Sequence, residues 1–283
     1  MSKRALKRLV EEGIVRDWDD PRLYTLIAIK RRGIPPGALL AFINELGVTT
    51  ARTIIPIVRF EQTVRKYLET TVPRLMLVLD PVPVTITDLE EPVDLDIPFS
   101  MKDPKFGTHK VPFTKTVYID RSDFREEDSK GYFRLAPGKT VGLLQAPHPI
   151  KATSFTKDDA TGLVTGITAV FDKETKPKTY IQWVPEGSIE VEARIHTPLF
   201  KSDDPAAVEG GFMNDIRTDS EAVYSKALIE AGFDEVRRRA PWPATAGETS
   251  ESSGPESVRF QALRVGYFVS PHLPPCGLYV SCC

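Results

Sequence analysis

Val72-Pro73-Arg74-Leu75-Met76-Leu77-Val78-Leu79-Asp80-Pro81 is the stretch at which the chain changes period. Leu75, Leu77 and Leu79 alternate with Met76 and Val78, and a run apolar on both faces suits a strand buried on both sides. Val82, Val84 and Ile86 then alternate with Pro83, Thr85 and Thr87. Proline cannot donate to a ladder, so this second run predicts an edge strand. Further strands are predicted over Val93 to Ile97, Val111 to Asp120, Lys139 to Gln145, Ile150 to Thr156, Leu163 to Phe171, Lys178 to Val184 and Ser188 to Ile195. Many short strands between Pro and Gly turns point to antiparallel barrels or sandwiches. Ser220 to Gly232 reads as a helix by propensity alone. Pro241 to Ser257 is Pro-, Ser- and Glu-rich and predicts a flexible surface loop over 243–257. Arg259 to Phe268 resumes as a strand, and 269–283 shows no readable pattern.

Upstream of Val72 the spacing is helical. Ala5, Leu6, Leu9 and Val10 form one stripe, stopped by Gly13. Thr25 is placed to cap a helix over Leu26 to Arg32, with Gly33 at its end. Pro35 and Pro36 suit the first turn of the next helix, whose apolar residues are Leu39, Leu40, Phe42, Ile43 and Leu46. Phe60, Val64, Tyr67 and Leu68 mark a fourth. Residues 1–72 therefore read as a small all-helical unit, and the chain as α+β.

The 283 residues carry a formal charge of -2 that hides an asymmetry. Residues 1–75 hold 14 Lys and Arg against 8 Asp and Glu, a net of +6; the remainder holds 23 against 31, a net of -8. A basic front half makes nucleic acid a candidate partner, with a surface balanced elsewhere as the plain alternative. No apolar run of 18 residues predicts a membrane span. The basic amino terminus lacks the apolar core of a secretory signal, so an intracellular protein is expected. Cys276, Cys282 and Cys283 fit neither a metal-site spacing nor a disulfide framework.

One short motif carries chemistry. In Met1-Ser2-Lys3-Arg4, Ser2 is placed to cap a helix, and Lys3 and Arg4 set cations beside backbone donors, which suits a phosphate. On its own it is also a common surface sequence. The four histidines are scattered, and Asp17, Asp19 and Asp20 read as a cap or ion-pair cluster. No glycine-rich phosphate loop and no nucleophile motif occur.

Met1-Ser-Lys-Arg4, Arg16-Asp-Trp-Asp-Asp-Pro-Arg-Leu23, Val72 to Pro81, Ile119 to Glu127, Ile181-Gln-Trp-Val184 and Arg259 to Phe268 together resemble the glutaminyl-tRNA synthetases, in their eukaryotic and fungal branch. The resemblance spans 1–268 and implies a cytoplasmic, monomeric enzyme joining L-glutamine to its tRNA with ATP and Mg2+, with no DNA or membrane partner and no tightly bound cofactor. It implies that Lys3, with Ser2 beside it, stabilises the leaving pyrophosphate, and that Met1 to Arg4 lie against ATP. It implies that 1–72 is the end of the class I catalytic core, with its signature loop and a helical connector, and that 73–268 forms two β-barrels, the second inserted at roughly 132–210. It makes Ser220 to Gly232 extended rather than helical. Arg74, Arg134, Gln261 and Arg264 match positions that read anticodon bases; Arg and Gln supply the planar donors and acceptors such reading needs. Tyr132 and Phe133 are candidate stacking faces, although aromatics in a barrel more often fill its core. Gly142 stands where the bacterial pattern has an arginine for the first anticodon base. The nucleotide-binding fold and its His-Ile-Gly-His run are missing, so the chain alone is expected to bind tRNA without catalysis. The last barrel strands are expected to be absent and 269–283 to be a foreign tail, as a read-through at Val269-Ser270 would produce. The sister glutamyl enzymes and a non-catalytic tRNA-binding fragment are the alternatives.

Overall fold

A computed structural model describes residues 2–47, 50, 55–242, 254–270 and 277–281. The loop expected over 243–257 lies outside the described residues except at its end, where Pro255–Ser257 forms a single turn.

The front of the chain is helical, as its spacing predicts. Helix α1 (Lys3–Glu11) begins at Ser2, whose Oγ accepts from the Ala5 N–H at 3.3 Å. Helix α2 (Leu26–Arg31) begins at Thr25, whose Oγ1 accepts from Ala28 N–H at 3.1 Å. Each cap satisfies an otherwise orphaned donor. Helix α3 (Pro36–Leu46) starts on its proline, and α4 (Ile57–Thr71) follows. The apolar face expected on α3 is only half covered. Ala38, Leu39 and Phe42 pack inward with Phe60, Val64 and Leu68 of α4, whereas Leu40 and Ile43 are exposed.

Strands follow in the order β1 (Arg74–Leu75), β2 (Leu77–Val78), β3 (Pro81–Ile86), β4 (Val93–Pro98), β5 (Thr108–Phe113), β6 (Thr116–Asp120), β7 (Thr140–Leu143), β8 (Ile150–Lys157), β9 (Val164–Phe171), β10 (Tyr180–Ile181), β11 (Val184–Pro185), β12 (Ile189–His196), β13 (Glu221–Ile229), β14 (Arg259–Ala262), β15 (Gly266–Val269) and β16 (Gly277–Ser281). A fifth helix, α5 (Gly232–Arg239), separates β13 from β14.

These strands form two seven-stranded sheets and a separate β4–β5 ribbon. The first sheet runs β1-β14-β15-β16-β12-β13-β2, and the second runs β10-β7-β8-β9-β3-β6-β11. In each, the two edge strands are neighbours in sequence. β1 and β2 are separated by Met76 alone, and β10 and β11 by Gln182 and Trp183. Each sheet therefore curls until its edges meet in one short stretch. The strands of the second sheet lie between residues 81 and 185, earlier than the insertion expected over 132–210.

The decisive stretch is a wall between two cores. Leu75 and Leu77 belong to the core of the first sheet, and Met76 and Val78 to that of the second. The period-2 alternation of a strand sends successive side chains to opposite faces, which is why the run is apolar throughout. It is not the continuous strand its sequence predicts. The Met76 N–H donates to the Glu230 carboxylate at 2.6 Å, and that carboxylate also meets His109 Nε2 at 2.9 Å. A buried acid thus takes the donor a ladder would have used.

Three other expectations change, and one reading is borne out against local propensity. Pro83 lies in an inner strand, because β3 is flanked by both β6 and β9. However, β9 reaches only Val84 to Ile86, so one side of the backbone at Pro83 has no strand beside it. The sheets are mixed rather than antiparallel: β1–β14, β7–β10, β3–β9 and β12–β16 are parallel pairs. Residues 221–229 are extended, against their propensity and in line with the resemblance, because β13 pairs along its whole length with β12. Finally, the tail is not patternless. Residues 277–281 supply β16, which inserts between β15 and β12, so the tail itself contributes a strand to the first sheet.

The helical unit is fastened to the first sheet. Val72 and the α3–α4 core pack on Tyr267 of β15, and Leu9, Val15, Leu23 and Ala28 pack on Leu199. Arg16 donates to Glu221 at 2.6 and 2.7 Å, and Arg22 donates to Ser220 Oγ at 3.0 Å.

Candidate RNA-reading site

The four residues singled out for base reading fall into two groups. Arg74 in β1 lies opposite Gln261 in β14 in the parallel register. The Arg74 backbone is held by its N–H to Phe99 O at 2.8 Å, and that of Gln261 by its N–H to Pro73 O at 2.8 Å. Strand pairing thus fixes both side chains beside each other, each partly exposed. The Gln261 Oε1 is buried and has no hydrogen-bond partner. Among the described residues it is one of the few buried side-chain atoms left without a partner, and an orphaned buried acceptor costs roughly 1–3 kcal/mol.

Arg134 and Arg264 line one cleft of about 580 Å³, with Asp123, Arg121, Gln182 and Tyr224 among its walls. Arg264 sits in the three-residue turn between β14 and β15 at φ +63°, a conformation side chains disfavour. From there its Nη1 donates to Tyr180 O at 2.9 Å, joining the first sheet to the edge of the second. Arg134 Nη1 donates to Asp123 Oδ1 at 2.9 Å and to Ser122 O at 3.3 Å. Burial raises the pKa of Asp123, and the nearby Arg134 and Arg264 charges oppose that shift. One edge of each guanidinium is thereby tied to protein, which fixes its plane for bidentate contact on the other.

Ser2, Lys3 and Arg4 lie elsewhere, exposed on the first turn of α1, and Met1 is outside the described residues. No ion pair engages Lys3 or Arg4 among the described residues. Tyr132 and Phe133 part company: Tyr132 is 9% exposed and Phe133 47%. Gly142 is occupied by aromatic bulk, since Tyr180 Cδ1 lies 2.3 Å from where a β-carbon on residue 142 would sit. Asp20 is fully buried and accepts from the Arg22 guanidinium at 2.9 and 2.8 Å and from the Arg16 and Arg22 N–H groups. It is a structural ion pair, as its turn suggested. Among the described residues no cluster of three or more metal-ligating side chains occurs. No helix there is long and apolar enough to cross a membrane. Arg121 and Gln182 escaped the sequence reading because their places at the cleft depend on how the second sheet packs against the first.

Residues 72–172 match the model of the anticodon-binding domain of class I tRNA synthetases (E and Q), and residues 1–70 match that of their catalytic domain. A glutamine–tRNA ligase of Hypocrea virens is 66% identical over 95% of this chain and 42% of its own length.

The chain belongs to the class I tRNA synthetases of the E and Q type.

The glutamine–tRNA ligase of Saccharomyces cerevisiae is 47% identical and the cytoplasmic one of Arabidopsis thaliana 38%, each over 95% of this chain. The chain spans 36% and 33% of the length of these two ligases. Within this synthetase chain, the paired Arg74 and Gln261 are carried by the strands that close the first sheet, and Arg134 follows the second-sheet strand β6. Only Arg134 and Arg74 fall inside the matched anticodon-binding segment.

Proposed function

We propose that this chain is the anticodon-reading part of a cytoplasmic glutamine–tRNA ligase, an enzyme joining L-glutamine to its tRNA with ATP and Mg2+. In this reading the two curled sheets are the two anticodon barrels of a 73–268 domain, with the second barrel at 81–185, and residues 1–72 are the connector. The observation that carries it is the β1–β14 register that sets Arg74 opposite Gln261, both partly exposed, with Arg74 inside the segment matching the anticodon-binding domain. Unpaired bases present both donors and acceptors on their edges, and such a pair reads them directionally. Arg134 and Arg264 serve the same purpose in the adjoining cleft. On α1, the exposed Lys3 and Arg4 suit ATP phosphates, with Lys3 offsetting charge that develops on the leaving pyrophosphate and Ser2 fixing the turn.

The test is binding of an RNA stem–loop carrying the glutamine anticodon, against the same stem with a scrambled loop. Arg74→Ala and Gln261→Ala are each expected to weaken the first by about tenfold or more, since a good planar contact is worth ~1–3 kcal/mol. Affinity for the scrambled loop should not change. Equal losses on both RNAs would reduce the site to phosphate binding.

A further inference from the structure

A second cleft, of about 670 Å³, is lined by Phe133, which precedes Arg134 of the first cleft in sequence, and by none of the four residues singled out for base reading. Phe133 stands in it with its ring 47% exposed. The Nζ atoms of Lys178 and Lys139 lie 5.4 and 5.9 Å from the ring centroid. Five lysines line the cleft against only Asp128 and Asp172. Both acids are already committed. Asp128 pairs with Lys139, and Asp172 accepts from Thr140 Oγ1 at 2.5 Å and from the N–H groups of Glu174 and Thr175. These bonds hold its pKa at about 2. Lys130, Lys151, Lys176 and Lys178 form no ion pair among the described residues, so the cleft carries unneutralised positive charge around a half-exposed aromatic ring.

Tyr180 continues this surface toward the first cleft. It is 51% exposed, two residues from Lys178, and lies opposite Gly142 in the β7–β10 pairing. Its ring covers the glycine backbone so closely that no side chain fits beneath it. Its carbonyl holds Arg264. Phe133, Lys178, Tyr180 and Arg264 thus alternate ring and cation. Phosphate binding alone would leave the rings with nothing to gain. An unstacked base on each ring, with its phosphates among the lysines, uses both features.

We propose that Phe133 and Tyr180 are stacking faces for unpaired RNA bases, with the lysines around them holding the flanking phosphates. This rests on the RNA-reading function and adds to it a contact that tolerates any base, since every base has a π-face.

The experiment uses the stem–loop RNA with 2-aminopurine placed in turn at each loop position, bound to the whole chain. Phe133→Leu and Tyr180→Leu should each lower affinity by about 5- to 100-fold, because stacking contributes ~1–3 kcal/mol per base. They should also abolish the fluorescence quench at one loop position, whether its neighbour is a purine or a pyrimidine. Tyr180→Phe should keep both. Lys178→Gln should lower the salt dependence of binding and leave the quench intact. Gly142→Ala, which displaces the Tyr180 ring, should mimic Tyr180→Leu with every cation in place. Leucine variants that bind and quench like the parent, while Arg74→Ala still weakens binding, would overturn the stacking proposal alone. A parent chain that binds no RNA would overturn both readings. A polyglutamate peptide bound as tightly as the RNA would reassign the cleft to acidic protein.

Discussion

Asp20 shows how much one buried side chain contributes at the hinge of the helical unit. Burial by itself would raise its pKa. The Arg22 guanidinium and the Arg22 and Arg16 N–H groups outweigh burial and bring it down to about 2 from 3.8. A carboxylate whose folded pKa is depressed stabilises the fold above its unfolded pKa, and that stability is lost as pH falls through the folded value. About 2 kcal/mol should therefore be present above pH 4 and disappear between pH 4 and 2. Urea unfolding at pH 6 and pH 3 tests this: Asp20→Asn should be less stable at pH 6 and should lose much of the parent's decline in that window. An unchanged decline would show that another acid is responsible. The residues proposed to read bases were legible at this scale only as residue types matched to a family, because nothing local distinguishes Gln261 from any surface glutamine. Its orphaned oxygen and its place opposite Arg74 arise from pairing between segments about 190 residues apart. The same holds for Tyr132 and Phe133, adjacent in sequence and opposite in burial.

Elements whose signals are local were legible. Ser2 and Thr25 cap the helices they precede, and Gly33 closes α2 at φ +72°. Gly33 has a second reason that its neighbours in sequence do not reveal. A β-carbon there would lie 2.7 Å from Val269 Cβ on β15. Gly33→Ala should cost about 2–4 kcal/mol, combining a left-handed alanine with overpacking. Combined with Val269→Gly, which removes the Cβ it would strike, it should cost less than the sum of the two single changes in a double-mutant cycle. Strict additivity would mean that backbone strain alone accounts for the loss. Where pairing decides, local signals misled. Helix propensity over Ser220 to Gly232 is overridden by the long β12–β13 ladder. Helix α5 went unread although Asp234 and Glu235 in its first turn and Arg237 to Arg239 in its last complement the helix dipole. Pro83 marked a place with one neighbouring strand, and that place lies inside a sheet whose second neighbour begins one residue later.

For the whole molecule, the sequence showed a helical front followed by β structure, but not that the β part is two curled sheets sharing walls. Parallel pairs such as β3–β9 and β12–β16 join distant segments and leave no periodic trace. Strand β16 comes from a Pro- and Cys-rich stretch in which the sequence showed no readable pattern.

The wall formed by residues 74–78 has a thermodynamic consequence. Because alternate side chains of one five-residue segment fill both cores, neither sheet can melt without opening a gap in the other. Dissecting the chain at the apparent boundary would leave each half with a missing face. Calorimetry should accordingly record a single heat-absorption peak for both sheets, its measured enthalpy equal to the van't Hoff value. Two resolved peaks would mean that the wall separates two independent bodies rather than coupling them.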